Sequence, residues 1–278
     1  MRTPPLTCFI SLLLVAVAAP RPASAQTAPA PAPAPAHAPL WQVDWGDQFC
    51  TLIRRPDPGS NEIVGLRLLP GAELSAIVLV APESTRLPYS VDSVTLSPSG
   101  QSFAVGAHGE NRARGTRALV ISGLPRSFWD VLAASQELQI NVGPAVRRRI
   151  ALVNSATAVR ALKQCASDAF RQWGMDEAAW NALQRLPHTT NRMGMSSSDY
   201  PTEEIDRRGQ GRVIVRVTVS AEGRATACAT VATRNTPAMD QATCAAVMSR
   251  ARFIPALDAQ GRPTAAQVTE SVMFLASG

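Results

Sequence analysis

The sequence predicts an α+β protein with two domains, a strand-rich amino-terminal domain that ends in a helix and a smaller domain of strands and helices. Three observations predict this architecture. Short apolar, β-branched segments separated by glycine and proline fill residues 40–153. One amphipathic helix follows at 156–173. Residues 187–199, with Pro187, Gly194 and three consecutive serines, then form a break before a second series of strands and helices begins.

Residues 1–25 have the features of a signal peptide. Arg2 provides the positive start, Phe9–Ala19 is uncharged and apolar, and Ala23-Ser24-Ala25 is a small-x-small cleavage site. The apolar run is shorter than the ~20 residues that span a bilayer. We therefore expect cleavage and a periplasmic mature protein, with an uncleaved inner-membrane anchor as the alternative.

Residues 26–39 form a tether rich in proline and alanine. Proline fixes φ and removes the amide donor, so the tract favours an extended polyproline II conformation. At about 3.1 Å per residue, its length is on the order of 40 Å. The exported domain begins after it, at residue 40, and extends to residue 186.

This amino-terminal domain is predicted to contain about eight short strands and two helices. The helix at Ala156–Trp173 is the clearest, because its apolar side chains recur at three- and four-residue steps and Gly174 follows. A shorter helix is predicted at Phe128–Ala134. The predicted strands are 41–45, 62–69, 74–80, 90–96, 101–105, 118–121, 138–142 and 149–153.

Four cysteines remain after cleavage, and an exported protein keeps them where disulfides form. Cys50, Cys165, Cys228 and Cys244 allow three pairings. None belongs to a C-x-x-C motif, so neither a metal site nor a redox pair is predicted. A bond between Cys50 and Cys165 would tie the two ends of the amino-terminal domain together.

The remaining composition excludes several classes of function. The net charge is +6 and Arg147–Arg149 is its one dense run, so no nucleic-acid partner is expected. His37, His108 and His188 are isolated, His108–Glu110 is predicted to be a loop, and no catalytic motif occurs. We assign Asp44 and Asp47 to a turn at a strand end. We predict neither an enzyme nor a cofactor.

The smaller domain, residues 200–278, has a regular order of elements. A short helix at Thr202–Arg208 precedes strands at Gly211–Val219 and Ala225–Thr233. A second helix begins at Pro237, since proline favours the first helical position, and a last strand follows at Ala265–Leu275. In the first strand, every second residue from Val213 to Val219 is valine, which predicts one buried face.

Four local motifs accompany this order and resemble the TonB C-terminal domain family over residues 199–276. They are Tyr200-Pro201, the Glu222-Gly223-Arg224 turn, Arg252-Phe-Ile-Pro-Ala256 and Gly261-Arg-Pro263. The resemblance implies a three-stranded antiparallel sheet with two helices on one face. It also implies that Cys228, on the second strand, is paired with Cys244, on the covering helix.

The resemblance further implies a binding activity. Members of the family bind a short extended segment at the amino terminus of outer-membrane TonB-dependent transporters, by adding a strand to an open sheet edge. The edge that the resemblance indicates is the last strand. Because an exposed edge can also pair with a second copy, a homodimer is an open alternative. The candidate binding residues are Gln267, Val268, Thr269, Glu270, Ser271 and Val272.

The chain differs from TonB proper in its amino-terminal half. TonB couples to ExbB and ExbD through an uncleaved membrane helix that carries a histidine, and it crosses the periplasm on a long proline-rich arm. Here the apolar run is short and lacks histidine, and a folded domain follows a short tether. A soluble periplasmic binding module is therefore expected. The alternatives are an anchored transducer that uses ExbB/ExbD, and a scaffold whose amino-terminal domain binds the ligand.

Overall fold

The computed structural model describes residues 41–54, 59–88, 90–112, 115–207 and 209–275. The predicted signal peptide and tether lie outside these residues. Residues 38–278 form one compact unit, so the two predicted domains pack together. Among the described residues, no helix combines the length and apolar character needed to cross a membrane.

The amino-terminal domain contains two antiparallel sheets. A six-stranded sheet has the order β1-β2-β3-β4-β8-β7, and a four-stranded sheet has the order β10-β9-β5-β6. The strands of the first sheet are β1 Trp41–Trp45, β2 Cys50–Arg54, β3 Ile63–Leu68, β4 Leu74–Pro82, β7 Gly106–Arg112 and β8 Thr116–Pro125. Those of the second are β5 Ser93–Ser97, β6 Gln101–Ala104, β9 Glu137–Val142 and β10 Ala145–Ala151.

The eight strands predicted for the amino-terminal domain are present, and its described residues contain two further strands. Strand β2 was missed, and β7 includes His108–Glu110, so the prediction of a loop there was wrong. Strand β7 has two glycines and no apolar alternation, yet it pairs with β8 along its whole length. Backbone pairing with a buried neighbour therefore forms this edge strand without a pattern of its own.

Helix α1, Phe128–Ala133, and helix α2, Ser155–Gln172, pack against these sheets. The predicted apolar side of α2 is confirmed, since Leu162 is completely buried and Phe170 is 3% exposed. Cys165 of α2 forms a disulfide with Cys50 of β2, with Cα atoms 5.9 Å apart. This bond connects residues that are 115 positions apart and joins the start of the domain to its last long helix.

Residues 187–199 are packed rather than extended. Strand β11, His188–Thr189, pairs with β14, Phe253–Ile254. Met193 is 4% exposed and lies in the carboxy-terminal core. A short helix, α3 Glu177–Asn181, precedes this segment. We retain the segment as the proposed boundary between the two domains.

The carboxy-terminal domain has the predicted three-stranded antiparallel sheet, in the order β13-β12-β17. Helix α5 lies against β13 and β12. Two-residue strands β15, Ala256–Leu257, and β16, Pro263–Thr264, form a separate small hairpin. The longer elements are α4 Thr202–Asp206, β12 Gly211–Val219, β13 Ala225–Thr233, α5 Pro237–Arg250 and β17 Ala266–Phe274.

Both faces of this sheet are buried. The four valines at alternate positions of β12, from Val213 to Val219, are completely buried with Met239 and Val247 of α5, as the sequence predicts. Ile214 points to the other face and is equally buried. Its cluster includes Phe170 and other residues of the amino-terminal domain. The amino-terminal domain therefore covers the face of the sheet that α5 leaves open.

Candidate functional site

Two of the motifs in the carboxy-terminal domain meet at the β12–β13 hairpin. Gly223 has φ +78°, and a Cβ atom there would lie 2.0 Å from the carbonyl oxygen of Phe253. The amide of Phe253 donates to the carbonyl oxygen of Gly223 at 3.0 Å. The Glu222-Gly223-Arg224 turn is thus fixed against Arg252-Phe-Ile-Pro-Ala256 because only glycine allows this approach. The two motifs therefore have a structural role in holding this hairpin.

The Tyr200-Pro201 motif fastens the entrance to the domain onto β17. The Tyr200 ring packs edge-on against Phe274, with ring centroids 5.2 Å apart. Its hydroxyl donates to the carbonyl oxygen of Gly209, just before β12 begins. The ring of Tyr200 therefore packs on the end of β17, while its hydroxyl forms a hydrogen bond with the backbone.

A second disulfide joins β13 to α5. The sulfurs of Cys228 and Cys244 are bonded, and the Cα atoms are 5.5 Å apart, which matches the pairing implied by the family resemblance. The bond closes a segment of 16 residues between strand and helix. It holds α5 on the sheet, and no disulfide among the described residues reaches β17.

Strand β17 is one edge of the sheet. It pairs with β12 without interruption, from Phe274 opposite Gly211 to Ala266 opposite Val219, and no other strand of the described residues pairs with it. In an antiparallel ladder, the N–H and C=O groups of alternate residues point to the same side. We define the outer edge as the groups of Gln267, Thr269, Ser271 and Met273 that point away from β12.

The amino-terminal domain hydrogen-bonds to this outer edge at Thr269. The amide of Thr269 donates to the carbonyl oxygen of Gly71 at 3.1 Å. Its hydroxyl Oγ1 donates to the carbonyl oxygen of Pro70 at 2.5 Å. Both acceptors belong to the turn Leu69–Ala72 between β3 and β4, which we name the edge turn. Thr269 is 1% exposed, so these two carbonyls satisfy a buried polar residue.

The other candidate residues divide between the faces of the strand. Val268 and Val272 lie in the core under α5, where they are 2% and 9% exposed. Gln267 is half-buried and Ser271 is exposed. Among the described residues, none hydrogen-bonds to the outward backbone groups of Gln267 or Ser271. The outer edge is thus open on both sides of Thr269.

Glu270 lies on the α5 face, between Val268 and Val272 and opposite Val215. Burial raises the pKa of its carboxyl from the ordinary 4.5 to about 7. No described residue donates a hydrogen bond to this carboxyl or forms an ion pair with it. The structure therefore places Glu270 in the core side of the strand, where it titrates near neutral pH.

A cavity of about 470 Å³ lies beside the end of the outer edge at Met273. The guanidinium groups of Arg67 and Arg212 lie over the Phe49 ring, 4.9 and 4.8 Å from its centroid. The carboxylates of Asp44 and Asp47 also line it, and Asp47 approaches Arg234 at 3.6 Å. No pattern in the sequence indicates this cavity, because residues from both domains line it.

The described residues contain no cluster of three or more His, Cys, Asp or Glu side chains that could hold a metal ion. What the carboxy-terminal domain offers instead is a backbone edge with free donors and acceptors on either side of Thr269. Such an edge recognises an extended peptide through main-chain hydrogen bonds. Among the described residues, β13 is the second edge strand of this sheet, since it also pairs with β12 only. A helix-covered, three-stranded antiparallel sheet with edges of this kind is suited to protein interaction.

The comparison with known families identifies this domain. Residues 196–275 match the family described as the Gram-negative bacterial TonB protein C-terminal. The carboxy-terminal domain is a TonB C-terminal domain, as the sequence motifs predict. This family is a non-enzymatic, transport-associated interaction domain, and its match covers less than a third of the chain. No curated protein was found to match the chain.

Proposed function

We propose that this protein is an exported periplasmic TonB-like protein that binds the extended amino-terminal segment of an outer-membrane TonB-dependent transporter. The segment adds to the outer edge of β17 as a further strand. The observation that carries the proposal is the position of β17, which pairs with a strand on one side only. The match of residues 196–275 to the TonB family supports the type of partner.

The main chain of β17 supplies most of the attraction in this proposal. A bound segment would donate to and accept from the outward groups of Gln267 and Ser271, which no described residue occupies. Exposed side chains of this strand, such as Ser271 and the 43% exposed Met273, would set the sequence preference. The same edge could pair with a second copy, and a homodimer would then compete with the transporter.

A proline substitution tests this mode of binding. Ser271→Pro removes an outward amide, which does not bond β12, so the ladder within the domain persists. We expect Ser271→Pro to weaken the binding of a fluorescein-labelled peptide copied from a transporter amino terminus by about tenfold or more. Fluorescence anisotropy gives the affinity. Ser271→Ala is the matched control and should bind as the unsubstituted protein does.

Equal binding by Ser271→Pro and Ser271→Ala would exclude strand addition at this edge. An anchored transducer that works with ExbB/ExbD is the alternative function. Mass spectrometry of the purified protein separates the two, since a mature amino terminus at Gln26 supports the periplasmic protein and an intact Met1 supports the anchored one.

A further inference from the structure

The edge turn is a tight turn whose shape follows from its sequence. Its residues are Leu69-Pro-Gly-Ala72, and the amide of Ala72 donates to the carbonyl oxygen of Leu69 at 3.1 Å. Gly71 has φ +80°. Proline followed by a glycine with positive φ is the pattern of a type II turn. Such a turn directs its carbonyl oxygens outward, and here two of them meet Thr269.

The edge turn occupies the middle of the outer edge but satisfies only part of it. It provides acceptors for the amide and the hydroxyl of Thr269. None of the described residues donates a hydrogen bond to the outward carbonyl oxygen of Thr269. An added strand can both accept from and donate to this residue. A strand therefore makes a bond that the edge turn does not make, and the two cannot occupy Thr269 together.

Other groups of the amino-terminal domain also contact the edge turn. The indole Nε1 of Trp180 donates to the carbonyl oxygen of Gly71 at 3.2 Å. A Cβ atom at Gly71 would lie 2.8 Å from Cε of Met175 and 3.0 Å from Cγ2 of Thr269. The turn thus fits between α3 and β17 with no space for a larger residue. It is positioned by the fold and does not lie against the edge by chance.

We propose that the edge turn is an internal competitor of the partner segment, and that a transporter peptide gains the whole outer edge only when the turn withdraws from Thr269. This inference rests on the proposed strand addition to β17 and assigns its regulation. Because only the fraction of molecules with a withdrawn turn can bind, the apparent affinity is reduced by that fraction. Whatever moves the amino-terminal domain away from the sheet then promotes binding.

Gly71→Ala is the variant that detaches the edge turn, since the added methyl group meets both Met175 and Thr269. Gly100→Ala is the matched control. Gly100 also has positive φ, +71°, but a Cβ atom there meets nothing within 4 Å, and it lies in the β5–β6 turn. Both variants carry the same backbone strain, and only one of them disturbs the outer edge.

The experiment measures the anisotropy of the labelled transporter peptide with the full exported chain and each variant. We expect Gly71→Ala to bind about tenfold more tightly or better, with Gly100→Ala unchanged. Hydrogen exchange should show faster exchange of the Thr269 amide in Gly71→Ala alone. Thr269→Val, which keeps the shape and removes the bond to Pro70, serves as a milder variant and should give a smaller increase.

The outcomes separate this inference from the proposed function. If Gly71→Ala and Thr269→Val bind no more tightly than the unsubstituted protein, while Ser271→Pro abolishes binding in all of them, internal competition is excluded and strand addition stands. If no variant binds the peptide although exchange shows a detached turn, the proposed function fails and the regulatory role fails with it.

Discussion

The two faces of the carboxy-terminal sheet are covered by different parts of the chain. One face packs against α5, which follows β13 directly and is joined to it by the Cys228–Cys244 bond. The other face packs against Leu69, Phe170, Trp173 and Met175 of the amino-terminal domain. No disulfide among the described residues crosses this second contact. One face is thus covered by a neighbouring segment and joined to it by a covalent bond, and the other is held by packing and hydrogen bonds.

This difference shows that the segment matching the TonB family does not by itself supply all of the residues that bury its sheet. Residues 196–275 contain the first covering but not the second. Released from the amino-terminal domain, the sheet would expose Ile214 and the edge of β17 at Thr269 together. In the proposed mechanism, the same contact that completes the core therefore also limits access to the candidate binding site.

The largest expected effect on stability comes from the sheet face that packs against the amino-terminal domain. Ile214→Ala should lower the free energy of unfolding by about 3 kcal/mol, because it leaves a cavity between the two domains. Urea denaturation followed by tryptophan fluorescence measures it. Ile205→Ala is the control, since Ile205 is 55% exposed on α4 and its truncation should cost well under ~1 kcal/mol. Equal losses of unfolding free energy in the two variants would mean that the contact between Ile214 and the amino-terminal domain is not part of the core.

A pH-dependent effect is expected on the face under α5. The pKa of Glu270 is raised by burial to about 7, so the folded protein binds this proton more tightly than the unfolded chain. The free energy of unfolding should be highest below pH ~4.5, fall between about 4.5 and 7, and stay low above that range. Glu270→Gln should remove this fall and stabilise the protein at pH 8 by on the order of 2 kcal/mol.

The measurement for Glu270 is a series of urea denaturations from pH 4 to pH 8. The exposed Glu203→Gln on α4 serves as the control and should leave the profile as it is. If the free energy of unfolding of Glu270→Gln falls by the same amount between about pH 4.5 and 7, the pH dependence belongs to another group.

The smallest expected effect on stability is at a polar contact between the amino-terminal domain and the sheet face that carries Ile214. The guanidinium of Arg216 donates to the carbonyl oxygens of Trp173 and Gly174, at the carboxy-terminal end of α2. A cation there also interacts favourably with the helix dipole. Arg216→Met should cost about 1–2 kcal/mol in a thermal unfolding series. The exposed Arg224→Met provides the comparison, and a similar cost for both would exclude a specific role for Arg216.

The sequence predicts the buried sheet face under α5. It does not predict that the amino-terminal domain covers the opposite face. Alternating valines from Val213 to Val219 indicate one buried face of β12 by their period of two, and the motifs around Gly223 and Phe253 indicate the family. Ile214 also follows the pattern of a strand, but nothing in β12 shows that Phe170, over forty positions away, covers it. Contacts between distant segments leave no periodic signal in either one.

The same reason explains the candidate site. The Pro70–Gly71 sequence predicts a turn, and residues 267–272 predict an edge strand, yet neither predicts that the two meet at Thr269. Strand β7, with its glycines, was missed because its stability comes from its pairing with β8. The cavity beside Met273 was missed because residues from both domains line it.

The arrangement of the two disulfides has a mechanical consequence. Cys50–Cys165 staples the first half of the molecule and Cys228–Cys244 staples the second, and each bond lies inside one half. In an oxidising compartment, each half is therefore reinforced by a covalent cross-link of its own, and among the described residues no cross-link joins one half to the other.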